Sequence, residues 1–269
     1  MKFKVSAPGK IILSGEHAVV YGYPALLSAV NKRLTITQTG AKHEVESGIP
    51  IGCGMGSSAA FAVAFSALDL VTKKQQLDLE RINKEAYRIE KKIHGNPSGG
   101  DNTISTYGGY LWYRKETESL KLFKNLETSP RLRGLFIINT GKPIESTGEM
   151  VSYISSRYKT RKKYIDAIFR EMEKITREFL SMTSFKELIK QNEILLEKLG
   201  VVSDQTKNVI RKIEKIGGAA KISGAGGKKE NSGILIVYHS DQGKLLNFTK
   251  KNNIDISKLK LGEKGVRIE

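Results

Sequence analysis

The strongest constraint on the fold is a glycine-rich stretch, residues 50–60, that runs directly into a helix-forming segment. Its sequence is PIGCGMGSSAA, in which Gly52, Gly54 and Gly56 alternate with other residues, and residues 59–71 favour a helix. Glycine lets a backbone approach a ligand closely, and a helix start offers free N–H groups and the positive end of a dipole. Alone, the stretch would indicate an ordinary turn before a helix; the alternative is an anion-binding loop.

The two serines after the last of these glycines have a second possible use. Ser57 or Ser58 is the expected N-cap of the helix, and a hydroxyl at that point can also reach a metal ion bound to a phosphate. A second glycine-rich loop, residues 220–227, precedes a clear strand at 233–238 and suits close approach to phosphates or to the first loop. Two such loops predict a phosphorylated ligand.

Neither loop has a common nucleotide-binding signature. No Gly-Lys pair is followed by Ser or Thr as in a P-loop, and neither loop completes the G-x-G-x-x-G spacing of dinucleotide-binding proteins. The HRD and DFG landmarks of protein kinases are also missing from the sequence. The residues alone therefore indicate a phosphate-binding enzyme without specifying its class.

Composition limits the partners. The 269 residues are 39% hydrophobic and 27% charged, as in a soluble globular protein of one large or two ordinary domains. The formal charge of +17 favours anionic partners, and part of the excess lies at residues 157–163. A solvated helix face explains that cluster better than nucleic-acid binding, because no aromatic-interleaved recognition motif accompanies it.

The cysteine count and the apolar runs indicate a cytoplasmic protein. The single Cys53 excludes an intrachain disulfide and agrees with a reducing compartment. The longest apolar candidate, residues 59–68, is well short of the about twenty residues that a membrane-spanning helix needs. We therefore expect no membrane association.

Three ionisable residues lie close together near the N-terminus. Residues 3–6 alternate like a strand and residues 7–10 break it, so Lys10 is expected in or beside a turn between strands. Glu16 and His17 follow in largely apolar sequence. A single histidine in such a place is either a hydrogen-bonded structural residue or a catalyst, and both interpretations stay open.

Two carboxylates follow the first glycine-rich loop. A helix at about 79–93 places Glu90 at the border of its apolar face, where it needs a metal or charged partner, unless it is a surface residue paired with a lysine. Asp101 lies in a loop dense in turn formers, residues 94–102, and either caps the next segment or acts as a catalytic carboxylate. Residues 103–113 are expected to form a hairpin that bends near Gly108 and Gly109.

The C-terminal half has a different character. A buried strand is predicted at 135–139 and a polar turn at 140–147, and from about residue 148 long helical patterns with few glycines begin. The predicted helical segments are residues 150–182, 185–199, 209–216 and 242–253.

Several motifs in order resemble those of the GHMP kinases and, within that family, of the mevalonate kinases. The first is residues 7–22, with APGK and GEHAVVYG; the second is the loop at 50–60, and the third is residues 221–227. Residues 94–102 resemble a segment typical of mevalonate kinases, and residues 192–203 extend the resemblance into the C-terminal part.

The resemblance implies a fold and an activity. The fold class would be α+β, with a ribosomal protein S5 domain 2-like N-terminal domain at 1–147 and a ferredoxin-like C-terminal domain at 148–269. The activity would be ATP- and Mg²⁺-dependent phosphorylation of the 5-hydroxyl of the small molecule mevalonate in isoprenoid synthesis. Homodimers are usual among similar proteins.

The resemblance also implies a role for each matching residue. Asp101 would accept the proton of the attacking hydroxyl and Lys10 would stabilise charge beside it, while Ser58 and Glu90 would hold Mg²⁺. The positions that match nucleotide-binding residues are Gly52, Gly54, Met55, Gly56, Ser57, Ser58, Ala59 and Gly226. The positions that match residues near the substrate are Glu16, His17, Thr147 and Ala225.

The sequence departs from the family pattern in two places, and alternatives remain. Lys228 and Lys229 stand where glycine usually continues the third motif, and we expect them either to alter the approach of the loop or to neutralise phosphates. Residues 31–49 form a short connection for this family. The alternative functions are a GHMP kinase for phosphomevalonate, homoserine or a sugar, and a non-catalytic binding protein of the same fold.

Overall fold

The N-terminal part of the chain is built on a six-stranded antiparallel sheet. The structure is a computed structural model that describes residues 1–95, 97–126, 134–181 and 184–269. The strand order is β10-β1-β2-β4-β5, and β3 pairs with the far end of β2. The bounds are β1 Lys2–Ser14, β2 Ala25–Thr39, β3 Lys42–Ser47, β4 Tyr110–Lys115, β5 Lys121–Leu126 and β10 Arg267–Ile268.

Three helices pack with this sheet. They are α1 Ser57–Thr72, α2 Leu79–His94 and α3 Gly100–Tyr107, and a short 3-10 helix, Ala18–Tyr21, follows β1. Helix α1 contacts β1, β2, α2 and α3. Small residues fill much of its buried surface, which lets it lie close to the sheet and to both neighbouring helices.

The second sheet has four antiparallel strands in the order β7-β8-β6-β9. Its strands are β6 Leu135–Asn139, β7 Ala219–Ser223, β8 Ile234–Tyr238 and β9 Ile256–Leu259. The helices of this part are α4 Thr147–Thr160, α5 Lys162–Ser181, α6 Phe185–Leu199, α7 Asp204–Lys215 and α8 Gln242–Lys251.

The sheets do not follow the chain in two simple halves. Strand β6 precedes residue 148 yet pairs with β8 and β9, and β10 at the C-terminus pairs with β1. The division of the chain at residues 147 and 148 stays a prediction.

Several predicted elements are confirmed. The strand at 135–139 and the helix at 185–199 have the expected bounds, and α1 and α2 begin and end within two residues of expectation. The helical pattern at 150–182 is divided at Arg161 into α4 and α5, and Met182 lies outside the described residues.

The hairpin predicted at 103–113 is wrong. The first part of that segment is helix α3, and β4 begins only after Gly108 and Gly109. Threonine favours strands in general, but here the hydroxyls of Thr103 and Thr106 donate to carbonyls four residues earlier at 2.6 and 2.8 Å. These bonds place both side chains within the helix, and β4 instead pairs with β5.

The turn predicted around Lys10 is also wrong. Strand β1 continues through Pro8 and Gly9, and its register against β2 shifts between Pro8 and Lys10. A bulge of this kind lets a strand pass a residue that lacks an N–H donor and re-aims the side chain after it. Lys10 therefore projects from a rigid strand.

The hydrophobic core is continuous between the two parts of the chain. Phe169 on α5 is fully buried, and its ring centroid lies 5.2 Å from that of Tyr21 and 5.5 Å from that of Tyr23. Both tyrosines lie between β1 and β2, so this cluster joins α5 to the first sheet. Within the described ranges, every helix is too short or too polar to cross a membrane.

We expect Phe169→Ala to lower the free energy of unfolding by about 3–5 kcal/mol, because it removes a buried ring and leaves a cavity. Leu180→Ala on the same helix is the control, since Leu180 is 47% exposed, and it should cost below about 1 kcal/mol. Urea denaturation of both variants measures the difference. Equal losses would contradict the role assigned to the aromatic cluster.

Candidate active site

The two glycine-rich loops meet at their backbones. A Cβ atom on Gly54 would lie 2.3 Å from the carbonyl oxygen of Ser223, and one on Gly224 would lie 3.0 Å from the Cα of Gly54. Both glycines have positive φ angles, 92° and 101°. The amide of Ile234 donates to the carbonyl of Cys53 at 2.9 Å, which fixes the first loop on β8. The expected approach of the second loop to the first is confirmed.

The start of α1 differs from expectation. Its N-cap is Gly56 in the left-handed conformation, with φ 72° and no side-chain cap, so the predicted capping by Ser57 or Ser58 is wrong. Glycine reaches this conformation without strain, and the chain enters the helix without help from a serine hydroxyl. The hydroxyl of Ser58 is therefore available to another partner.

That partner is Glu90 on α2. The Ser58 hydroxyl donates to Oε1 of Glu90 at 2.5 Å, and Nε2 of His94 lies 3.8 Å from Oε2. Glu90 is only 5% exposed, so the interpretation as a surface residue paired with lysine is wrong. Burial raises the pKa of the Glu90 carboxyl; the Ser58 hydrogen bond opposes the shift, and the charge of Asp101 adds to it.

Ser58 and Glu90 fit a magnesium ion. Mg²⁺ in proteins is commonly bound by one or two carboxylates, substrate phosphates and waters, so a dedicated cluster of acids is not needed. The described residues contain no group of three or more His, Cys, Asp or Glu side chains able to hold a metal. The buried Glu90 carboxylate and the neighbouring Ser58 hydroxyl supply oxygen donors of this kind.

Lys10 joins the glycine loop to α3. Its Nζ lies 3.1 Å from Oδ2 of Asp101; the lysine side chain is 3% exposed and the aspartate side chain 36%. The Lys10 amide donates to the carbonyl of Met55 at 2.9 Å, and a Cβ on Gly56 would lie 2.9 Å from Cγ of Lys10. The side chain thus crosses the loop at the start of α1 and ends at Asp101, which lies in the first turn of α3.

A fully buried ion pair joins the two sheets near Lys10. Lys221 on β7 contacts the Glu16 carboxylate, and both side chains are fully buried. The Nζ of Lys221 also donates to the carbonyl of Ile12 at 3.0 Å, so the pair ties β7 to β1. Burial raises the pKa of Glu16, and the charge of Lys221 opposes that shift.

Glu193 on α6 completes the cluster around Lys221. Its Oε2 accepts a hydrogen bond from the amide of Ile222 at 2.9 Å, while burial raises the pKa of the carboxyl to about 8. Lys221 and Glu193 were not among the predicted site residues. A signal existed for Glu193, which lies four residues after Ile189, on the apolar face of a predicted helix.

His17 links the first motif to the second glycine-rich loop. Its Nε2 lies 3.0 Å from the carbonyl oxygen of Ala225, and burial lowers the pKa of the imidazole to about 4. A neutral ring with a proton on Nε2 donates to that carbonyl. His17 has a φ of 60°, and this hydrogen bond joins it to the second glycine-rich loop.

The remaining predicted positions are more peripheral. Gly226 has a φ of 72°, and a Cβ there would lie 2.0 Å from the carbonyl oxygen of Val201, so it packs on the segment after α6. Thr147 is the first residue of α4 and is exposed. The Nζ of Lys228 lies 3.8 Å from the ring centroid of Tyr153, a cation–π contact. Asn96, in the segment resembling mevalonate kinases, lies outside the described residues.

Comparison with known sequences agrees with the motifs. A family model described as the GHMP kinases N terminal domain matches residues 20–109. The chain is 34% identical over 264 residues to the mevalonate kinase of Archaeoglobus fulgidus, a match that covers 82% of this chain and 88% of that protein. It is 30% identical over 275 residues to the mevalonate kinase of Methanothermobacter thermautotrophicus, which covers 84% and 88% respectively.

Comparison with solved structures agrees with the fold. The Methanococcus jannaschii mevalonate kinase superposes with a TM-score of 0.81 at 22% identity, covering 98% of this chain and 99% of that one. The L. major mevalonate kinase in complex with R-mevalonate gives 0.79 at 22% identity, covering 97% and 96%. The predicted fold class, a mixed α and β kinase fold of the GHMP type, is confirmed.

We expect His17 to make the folded state sensitive to acid. The folded-state pKa, about 4, is below the usual 6.5, so the unfolded chain binds the proton more tightly and stability falls as the pH drops from about 6.5 to 4. Between pH 7 and 4.5 the wild type should lose about 2 kcal/mol more than His17→Gln. Urea denaturation at both pH values measures this, and parallel losses would show that His17 is not buried as a neutral ring.

Proposed function

Because the chain belongs to the mevalonate kinase family of the GHMP kinases, we propose that it transfers the γ-phosphoryl group of ATP to the 5-hydroxyl of mevalonate. The product is 5-phosphomevalonate, in the mevalonate route to isoprenoids. The observation that carries the proposal is the convergence of Lys10, Asp101 and the Ser58–Glu90 pair at the start of α1. Phosphoryl transfer depends mainly on positioning and charge neutralisation, and these groups supply both.

Asp101 is the proposed base. It accepts the proton of the attacking hydroxyl, for which its side chain is accessible at 36% exposure. Lys10 lies 3.1 Å away and is almost completely buried, so its charge acts at short range and with little screening. It stabilises the negative charge of the transferred group.

The start of α1 is the proposed phosphate site. The glycine cap leaves the first N–H groups of the helix without a side-chain acceptor, and the helix dipole favours an anion there. Contact between the two loops holds this backbone in place. The residues proposed to contact the nucleotide are Gly52, Gly54, Met55, Gly56, Ser57, Ser58, Ala59 and Gly226.

Ser58 and Glu90 are the proposed ligands of Mg²⁺. When bound, the ion neutralises charge on the phosphates of ATP. The 2.5 Å hydrogen bond between the two side chains keeps their oxygens together at the mouth of the helix. Burial of Glu90 leaves its carboxylate short of water, which favours a cation as its partner.

The proposed substrate side is formed by Glu16, His17, Thr147 and Ala225. Glu16 and His17 are held by Lys221 and by the carbonyl of Ala225, so their positions are set before a substrate arrives. Thr147 is exposed at the start of α4, where a ligand can reach it. Lys228 packs over Tyr153, which supports its alternative role in loop placement over direct phosphate contact.

A panel of acceptors tests the proposed function. ATP consumption is measured with mevalonate, phosphomevalonate, homoserine and galactose at equal concentrations. We expect kcat/KM for mevalonate to exceed that of each other acceptor by at least about a hundredfold, a difference that buried polar contacts can supply. A higher value with another acceptor would change the substrate, and turnover with none would favour a non-catalytic protein.

We expect Asp101→Asn to lower kcat by at least about a hundredfold, the low end for a positioned acid–base group. Asp69→Asn is the control, because Asp69 lies near the far end of α1 and pairs only with the exposed Lys73 among the described residues. Circular dichroism and thermal melting check that both variants are folded. A folded Asp101→Asn enzyme with near-normal kcat would reject Asp101 as the base.

A further inference from the structure

The β4–β5 hairpin holds the segment that leads into α3. The Tyr113 hydroxyl donates to the carbonyl of Ser98 at 2.7 Å, and Nζ of Lys115 donates to the carbonyl of Pro97 at 3.1 Å. Tyr113 is fully buried, and its bond reaches a residue only three positions before Asp101. Two neighbouring donors on one strand thus fix two consecutive carbonyls just before the proposed base.

The contact between hairpin and segment is close. Gly99 has a φ of 89°, and a Cβ there would lie 2.7 Å from the Tyr113 hydroxyl oxygen and 3.2 Å from Cε2 of Tyr87. The Gly99 carbonyl accepts a bond from the Thr103 hydroxyl at 2.6 Å, which continues the segment into the first turn of α3. A side chain at position 99 would collide with Tyr113 on the hairpin and with Tyr87 on α2, so the backbone lies directly against both.

The same hairpin is tied to the helix that carries Glu90. Glu118, in the turn between β4 and β5, accepts hydrogen bonds from the Tyr87 hydroxyl at 2.8 Å and from Lys91 at 2.9 Å, both on α2. Its other oxygen lies 3.0 Å from Nζ of Lys115. The bonds from Lys91, Lys115 and Tyr87 lower the pKa of the Glu118 carboxyl to about 2, so it stays charged near neutral pH.

We propose that Tyr113, Lys115 and Glu118 are positioning residues that fix Asp101 relative to Glu90. They link the segment before the base to the helix that carries the metal carboxylate, and Tyr113, being fully buried, acts from behind the site without touching substrate. The inference rests on the proposed function, because it assigns the hairpin a task in that reaction. Catalytic groups need to be held within a fraction of an ångström, and supporting hydrogen bonds provide this.

Tyr113→Phe is the direct test, because it removes one hydroxyl and keeps the ring. Its control is Tyr110→Phe on the same strand, where the hydroxyl bonds to Ser28 and not to the segment before Asp101. We expect kcat of Tyr113→Phe to fall about tenfold, with KM for ATP and mevalonate changed less than about twofold, since one buried hydrogen bond is lost and binding groups are unchanged. Tyr110→Phe should keep kcat within about twofold.

If the proposal is correct, Tyr113→Phe lowers kcat because it displaces Asp101. In an Asp101→Asn background, Tyr113→Phe should lower the residual kcat by less than about twofold, because a base that has been removed cannot be misplaced. A fall by the same factor in both backgrounds would show a general structural effect and overturn the proposal. So would an unchanged kcat in folded Tyr113→Phe.

Glu118→Gln provides a second variant if Tyr113→Phe is unstable, since its side chain is 48% exposed and similar in shape to glutamine. We expect kcat to fall at least about threefold with KM values unchanged, and unchanged kcat would overturn the part assigned to Glu118. Hydrogen exchange of residues 98–107 is independent of activity. Faster exchange there in Tyr113→Phe than in Tyr110→Phe supports the positioning role of Tyr113 even if the wild type fails to phosphorylate mevalonate. Equal exchange in the two variants refutes that role.

Discussion

The site depends on the burial of one positive charge. Lys10 is almost completely removed from solvent, and a buried ammonium group is stable only with a carboxylate or other acceptors close to it. Asp101 is that carboxylate, and the lysine stem fills the space left by Gly56. The charge of Lys10 is therefore neutralised where strand β1 and the starts of α1 and α3 meet. The same ion pair holds the proposed base, Asp101, in place.

The second buried cation extends this arrangement to the other sheet. Lys221 on β7 is paired with Glu16, which follows β1 in the chain, and Glu193 lies near them. Burial raises the pKa of both the Glu16 and the Glu193 carboxyls, and the charge of Lys221 opposes the shift in each. A balanced pair of this kind costs less to bury than an unpaired charge, so it orients the sheets without leaving a net buried charge.

The sequence predicted the parts of the site that local chemistry determines. The glycines of both loops, the apolar face of α2 and the apolar run of β6 each leave a local pattern, and all three are present. Asp101 was predicted in a loop and Lys10 in or beside a turn, but they lie in helix α3 and strand β1. Thr103 favours a strand, yet its hydroxyl bonds to the carbonyl four residues earlier, and β1 passes Pro8 through a bulge. The hydrogen-bond partners of Lys221, which are Ile12 and Glu16, lie more than 200 positions away in the sequence, and no local pattern encodes them.

The β4–β5 hairpin has a role because a catalytic base must be both accessible to the substrate and held in a fixed position. Asp101 must be exposed enough to reach a substrate, so burial of its own side chain cannot hold it in position. Its backbone can be held instead, and the bonds from Tyr113 and Lys115 act on the residues immediately before it. Lys10 on β1 orients the Asp101 carboxylate, while the hairpin of β4 and β5 fixes the backbone at the start of α3. The Asp101 side chain is accessible to the substrate, while Tyr113 and Lys115 hold its backbone in position. Residues that never touch a substrate therefore affect kcat.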